Sequence, residues 1–389
     1  MKKTAIMKKA MGFLIVFFLF SCTGSNQLTV KIENNSAIDR VSEVVEIALN
    51  PVSSRFGDSF ILTDEEGQEI AWQKTYDDKL IFPATVRAGG QAVYHIKAGM
   101  PMTFRTIASG KHYPERVDDI AWENDRIAFR TYGPALQATG ERAFGYDIWV
   151  KRVAEPVVAE RYRKELEDGV SYHRDNGNGL DYYSVGPTLG AGTTALYPND
   201  SIVYPYCYNT YELLDNGPLR FTVKLVYHPL EVGENRDIVE TRLISLDAGS
   251  QLNRVMVSYA NLREEMPIAT GIVMRAPSEE YAADKNAGYI AYAESAHPAN
   301  GQTFVATVFP SSVKLIEAEP VFFSETERKE RGGATGHLLA VSSYTPGEQY
   351  TYYFGGGWSK WGFETSKDWF AYVADYAQRQ AQPLTVTVR

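Results

Sequence analysis

Three arginines, Arg116, Arg126 and Arg130, fall in one charged run from His112 to Pro134, together with Asp118, Asp119, Glu123 and Asp125. Taken as a strand, Arg126 to Arg130 turns Ile127 and Phe129 to one side and Arg126, Ala128 and Arg130 to the other. Two guanidiniums flanking an alanine then form a cationic shelf able to grip a carboxylate through paired hydrogen bonds. Arg116 is assigned to the same site, and Asp119 to the groups that bind substrate. The same residue types also read as structural ion pairs between the arginines and the four acids, and both readings stay open.

Three further segments carry chemistry-bearing groups. Asp147-Ile-Trp-Val-Lys-Arg152 sets charges around a tryptophan, which suits the floor of a sugar site or an exposed strand edge. Ser171 to Gly192 reads as a long loop rich in Gly, Asn and Asp that carries His173, Tyr182 and Tyr183, the kind of segment that builds a site on a scaffold. The EF-hand calcium pattern fails there, with Gly177 where an oxygen ligand belongs and Gly186 in place of the bidentate glutamate. No cofactor is assigned, and a divalent cation on other oxygen ligands is left open. In Tyr350 to Phe363, the glycines Gly355 to Gly357 are expected to end a strand, after which Trp358 and Trp361 flank Lys360. Aromatic faces stack on sugar rings and a lysine meets a hydroxyl or carboxylate, so these three join the substrate-binding set. Their structural reading is a seal between a sheet and the last helix.

Several function classes drop out. Lys and Arg total 39 against 48 Asp and Glu, a formal charge of -9, the wrong sign for a general nucleic-acid binder. No Gly-x-Ser-x-Gly elbow, P-loop or dinucleotide-binding glycine fingerprint is present. Cys22 and Cys207 cannot build a disulfide framework or a zinc cluster, and Cys207 reads as a buried, inert thiol.

The elements that must hold these groups are mostly strands. Phe60 to Thr63 and Glu69 to Gln73 flank the turn Asp64 to Gly67, and Lys79 to Pro83 and Ala92 to Lys97 flank Ala88-Gly-Gly90, so a small β-sandwich is expected over residues 22–100. Beyond it, Leu219, Phe221, Val223 and Leu225 alternate with polar residues, as do Val255, Val257 and Tyr259. Strand-like runs follow at Tyr289 to Tyr292, Phe304 to Phe309, Leu338 to Ser343 and Tyr350 to Phe354, which makes residues 101–389 a domain of packed antiparallel sheets. Two helices are predicted, Pro156 to Asp168 stopped by Gly169, and Lys367 to Gln380 capped by Ser366 with Trp369, Tyr372, Val373 and Tyr376 on one face.

Residues 1–21 read as a secretory signal, with Lys2, Lys3, Lys8 and Lys9 ahead of the apolar run Ala10 to Phe20. Leu19-Phe-Ser-Cys22 resembles a bacterial lipobox, so Cys22 is expected to be lipidated and the protein to sit in the periplasm, touching membrane through that anchor alone.

The run Arg116-Val-Asp-Asp-Ile-Ala-Trp-Glu-Asn-Asp-Arg-Ile-Ala-Phe-Arg-Thr-Tyr-Gly-Pro-Ala135 resembles a family of secreted Bacteroidota proteins filed as a domain of unknown function. Gly145 to Lys151, Tyr172 to Gly177, Gly179 to Tyr183, Val185 to Gly190 and Phe354 to Trp361 extend the resemblance over most of the chain. It implies loci that degrade pectin, ulvan and related uronate polysaccharides. It also implies a galactose-mutarotase-like antiparallel supersandwich, and dehydration of oligosaccharides to leave a 4,5-unsaturated uronate at the non-reducing end. That chemistry needs a cation on the sugar carboxylate, for which Arg116, Arg126 and Arg130 are available, and a base and acid, for which His173 with Tyr182 or Tyr183 are available. Two alternatives are carried. One is mutarotation or hydrolysis using His173 with Glu123 or Asp181, and the other is a carbohydrate-binding lipoprotein without turnover.

Overall fold

The structure, a computed structural model, describes residues 27–276 and 278–389. The signal over residues 1–21 and the lipidation at Cys22 lie outside the described residues. No helix among those described is long and apolar enough to cross a membrane. The architecture is mainly β with few helices, in five antiparallel sheets among these residues.

Two sheets form the small sandwich. One contains Gln27–Glu33, Phe60–Thr63, Gln91–Ala98 and Thr385–Val388, and the other Arg40–Ala48, Gln73–Lys74 and Lys79–Val86. Val30, Ile32, Leu62, Phe82 and Ile96 are sealed between them. The turn at Asp64 closes as expected, with Ile70 N–H on the Leu62 carbonyl at 2.8 Å. The last strand comes from the far end of the chain, where Val388 pairs antiparallel with Val30. The sandwich therefore extends past the expected boundary at residue 100, because its outer strand position was filled by residues remote in sequence.

The second part stacks a nine-stranded sheet against two smaller ones. Ile244, Val255, Tyr352 and Val305 of the large sheet meet Ile120, Phe129 and Ile148 of a five-stranded sheet, and Ile268, Ile272 and Leu338 of a four-stranded one, in one continuous core. The opposite face of the large sheet, through Ala291, Phe304 and Ala306, is covered by Trp369, Val373 and Ala377 of the helix Ser366–Ala381. That helix is capped one residue earlier than predicted, by Thr365 in a reciprocal box with Asp368.

Gly355, Gly356 and Gly357 do not end their strand, which runs from Tyr350 to Trp358. Their small size serves packing instead. A Cβ on Gly355 would stand 2.0 Å from the Gln251 carbonyl oxygen, and one on Gly356 2.6 Å from that of Phe304.

Candidate functional site

The five-stranded sheet runs in the order Gly179–Asp181, Asp147–Lys151, Ile127–Thr131, Asp119–Glu123, Ser109–Tyr113. Alternation gives it two unlike faces. Ile120, Trp122, Ile127, Phe129, Ile148 and Val150 enter the core, while Asp119, Glu123, Arg130, Asp147, Lys151 and Asp181 project to the other side and are nonetheless buried. The cover is the segment between Lys151 and Gly179. Its helix, Val158–Arg163, continues as a π-type turn over Lys164–Asp168 and stops at Gly169, whose φ of 67° is left-handed. The start of this helix is capped by a residue from another strand. Glu123 accepts from the amides of Val157 and Val158 at 2.9 Å and holds Lys151 at 2.7 Å, so it is no free acid.

Arg130 lies at the centre of the polar face. Its Nε donates to Asp147 at 2.8 Å and its Nη2 to Asp181 at 3.0 Å, while Asp119 stands 3.6 Å from Nη1. Three carboxyls thus share one guanidinium. Burial raises Asp147 against the pull of Arg130. Burial and then repulsion from Asp147 push Asp181 well above the usual carboxylate range. Asp119 is pushed up to about 6 by burial, with Arg130 and a 3.0 Å hydrogen bond from Tyr162 opposing. Burial and mutual repulsion favour the protonated forms of these carboxyls, and the shared Arg130 charge opposes that. Arg130, expected to grip a substrate carboxylate, grips internal ones, and Asp119 is likewise bound within the protein.

Arg116 behaves differently. It makes no ion pair among the described residues, though its charge favours the ionised form of Asp119; its guanidinium lies 5.6 Å from the Tyr162 ring centre and 5.4 Å from that of Tyr172, and it donates to the Tyr172 hydroxyl. Its Nε is buried without a partner among the described residues. The turn that presents it is strained, since Val117 and Asp118 adopt φ of 50° and 65°. Leu136 N–H bonds the Val117 carbonyl at 3.1 Å, Ala135 N–H the Asp118 side chain at 3.0 Å, and Tyr208 the Asp118 carbonyl at 2.5 Å, which together hold that turn. The Tyr172 hydroxyl also accepts from Arg130 at 3.4 Å, linking the two arginines. His173, next in the chain, is 55 % exposed at its side chain, with Nδ1 at 3.0 Å from the Asp181 carbonyl and 3.7 Å from its carboxylate. The fold therefore brings Arg116, Arg130, Asp119 and His173 together.

The other nominated residues fall elsewhere. Arg126 precedes its strand, in a turn held by Asn124, and pairs with Asp125 at 3.3 Å, so the shelf with Arg130 does not form. Tyr182 alternates to the core-facing side and donates to the Gly301 carbonyl at 3.2 Å. Trp358 and Lys360 take the two preceding carbonyls, Asn300 at 2.6 Å and Ala299 at 2.5 Å. These three groups clamp one loop rather than meeting a sugar. Trp361 packs against the main core. Trp149 is sealed beneath Tyr162 and Tyr172, neither a sugar floor nor an exposed edge. In the oxygen-rich loop, Asp175 is used by Arg152 and by the amides of Gly177 and Gly179. Among the described residues no three His, Cys, Asp or Glu side chains are set to hold a metal ion. Cys207 is buried, its thiol pushed up to about 12 by that burial.

The hydroxyl that joins the arginines belongs to Tyr172, not to the expected Tyr182 or Tyr183. Its place beside His173 was a usable signal. Tyr162 had none, because its role depends on a helix folding back over the sheet.

The sheet arrangement defines a mainly-β protein whose polar site is buried under a helical cover. Residues 32–386 match the family described as a domain of unknown function (DUF4861), and the chain belongs to that family. It is 25% identical over 401 residues to "Uncharacterized protein P7" of Formosa agariphila, covering 97% of this chain and 98% of that protein. Two solved structures from Enterococcus faecalis, an alpha-mannosidase and a protein in the glycosyl hydrolase family 38, align over 94% of this chain at 8% identity, with TM-scores of 0.49 and 0.48. The chain spans about half the length of those two structures, 46% and 48%.

Proposed function

We propose that this protein is a carbohydrate-active carbon–oxygen lyase that dehydrates an oligosaccharide ending in a uronic acid, leaving a 4,5-unsaturated uronate. The observation that carries this reading is Arg116, a guanidinium in no ion pair among the described residues, which shares the Tyr172 hydroxyl with Arg130 beside the exposed His173. In this reading Arg116 neutralises charge building on the sugar carboxylate as the C5–H bond breaks. His173, oriented by the Asp181 carbonyl, takes that proton, and the bonding pair forms the C4–C5 double bond. The C4–O bond breaks, and the hydroxyl leaves as water once protonated. Asp119, Asp147 and Asp181 position the arginines and tyrosines and set the local charge. With Cys22 as a lipid anchor the reaction would take place in the periplasm.

Incubation with saturated oligosaccharides from pectin, ulvan and glycosaminoglycans should give a product lighter by one water, with new enoate absorbance. Arg116→Met should lower turnover by roughly 10²–10³, the usual cost of losing one preorganised donor. Full turnover by that variant would remove Arg116 from the chemistry. A pure binding protein would leave every substrate intact and keep its affinity in His173→Ala.

A further inference from the structure

A cavity of about 260 Å³ opens where three parts of the molecule meet: the strand Arg40–Ala48 of the small sandwich, the nine-stranded sheet and the helix Ser366–Ala381. It lies on the side of that sheet turned away from the core, because Arg254 and Tyr353, antiparallel partners on its wall, alternate with the core residues Val255 and Tyr352. The acids around it are already occupied. Asp247 takes Nε and Nη2 of Arg220 at 2.5 and 2.8 Å, and Glu46 takes its Nη1 at 2.6 Å. Glu43 holds Arg40 with both oxygens, at 3.2 and 3.1 Å, and Arg40 fixes the helix end through the Gln382 carbonyl at 2.6 Å. Two guanidiniums are left over. Arg254 reaches, at 3.5 Å, only the Glu46 oxygen that Arg220 already holds. Arg379 makes no ion pair among the described residues and lies 5.6 and 5.7 Å from the ring centres of Tyr372 and Tyr376. Neither guanidinium donates a hydrogen bond to a described residue, and the Nε of each is buried. Tyr353 and Tyr376, edge to face at 5.5 Å, add hydroxyls that no described residue bonds.

We propose that this cleft is a second sugar-binding site, which takes one acidic residue of an oligosaccharide, its carboxylate between Arg254 and Arg379 and its hydroxyls on Tyr353 and Tyr376. Guanidinium N–H groups match a carboxylate in geometry and in charge. Tyrosine rings offer an apolar surface to sugar C–H groups while their hydroxyls stay available for hydrogen bonds. The volume falls just under the roughly 300–1,000 Å³ of small-molecule sites, which suits one sugar ring, and junctions between structural units are where such sites concentrate. The uronate class rests on the dehydratase reading above, whereas the cleft and its two unbonded guanidiniums do not. No bond is made or broken there. The Arg116 site lies on the outer face of the five-stranded sheet, so that sheet and the nine-stranded one both stand between the two sites. The cleft therefore holds the carbohydrate on the protein and takes no part in the dehydration.

The test uses the full chain, titration calorimetry and two probes, trigalacturonate and the neutral galactotriose. Arg116→Met is the background, since it removes the guanidinium assigned to the chemistry and leaves the cleft intact. That protein should still bind trigalacturonate, about tenfold or more tightly than galactotriose. Adding Arg379→Met should weaken trigalacturonate binding by about tenfold or more, and Arg379→Gln gives the same loss where the methionine variant fails to fold. Hydrogen exchange should show bound trigalacturonate slowing amides in Ser366–Ala381 and Leu252–Ala260. Equal affinity for the two probes overturns the acidic-sugar assignment. No binding, an affinity unmoved by the Arg379 substitution, or protection confined to other segments removes the site. Turnover reports on the dehydratase reading separately. If wild-type protein makes no enoate while the Arg379 dependence holds, dehydration falls and the cleft stands; if enoate forms and the Arg379 substitution changes nothing, the cleft falls and dehydration stands.

Discussion

Arg130 and Asp147 face each other across the antiparallel pair Ile127–Thr131 and Asp147–Lys151, and the arginine Nε meets the aspartate oxygen at 2.8 Å. The same guanidinium reaches Asp181 on the far side of Asp147, so one cation holds two strands' carboxyls and stands near a third. Arg130→Met leaves those acids buried without their counter-charge. Urea unfolding at pH 7 should show a loss of about 3–5 kcal/mol, the usual effect of breaking a buried ion pair from one side. The loss should shrink toward pH 5 as the uncompensated carboxyls take up protons. A loss below about 1 kcal/mol, the level of exposed pairs, would mean that this cation does not hold the cluster.

Asp119 gives a pH dependence whose sign is fixed. Its carboxyl is raised from 3.8 to about 6 by burial, so between those values the folded protein binds more protons than the unfolded chain. Stability from this group is then present at low pH and falls as pH rises through the window, by about 3 kcal/mol for roughly two units. Asp119→Asn keeps an acceptor for Tyr162 and cannot ionise. Its melting temperature should fall less between pH 4 and pH 6.5 than that of the wild type. Parallel curves for the two proteins would contradict the assignment of a raised carboxyl.

The returning strand Thr385–Val388 makes the small sandwich depend on the other end of the chain. Leu384, Val386 and Val388 pack on its core, and Arg389 exchanges backbone bonds with Thr29 at 2.9 Å. A chain ending at residue 382 should lose about 2–4 kcal/mol from that partial burial. Hydrogen exchange should locate the loss in Gln27–Glu33, newly an edge strand. Unchanged protection there would show that the pairing does not matter in solution.

Much of the fold was legible from residue order. The alternation of Leu219 to Leu225 and of Ile127 to Phe129 marks a buried face because neighbouring side chains of a strand must point oppositely. Gly169 ended the first helix as predicted. The site was legible in part: Arg116, Arg130 and His173 come together, while Arg126, Tyr182, Trp358 and Lys360 do not join them. A one-residue difference accounts for Arg126, which lies in the turn before the strand rather than in it.

Local order by itself determined the strands, the turn glycines, the apolar faces and the presence of a charged run with a histidine-bearing loop. Tertiary structure alone decided which charges are held in ion pairs. Arg116 and Arg130 look alike in sequence, yet one finds three carboxyls around it and the other two tyrosine rings. Ion pairing depends on distances of a few ångströms between residues remote in sequence, and those distances are set by sheet register and by the helix folding over the polar face, neither of which residue spacing encodes.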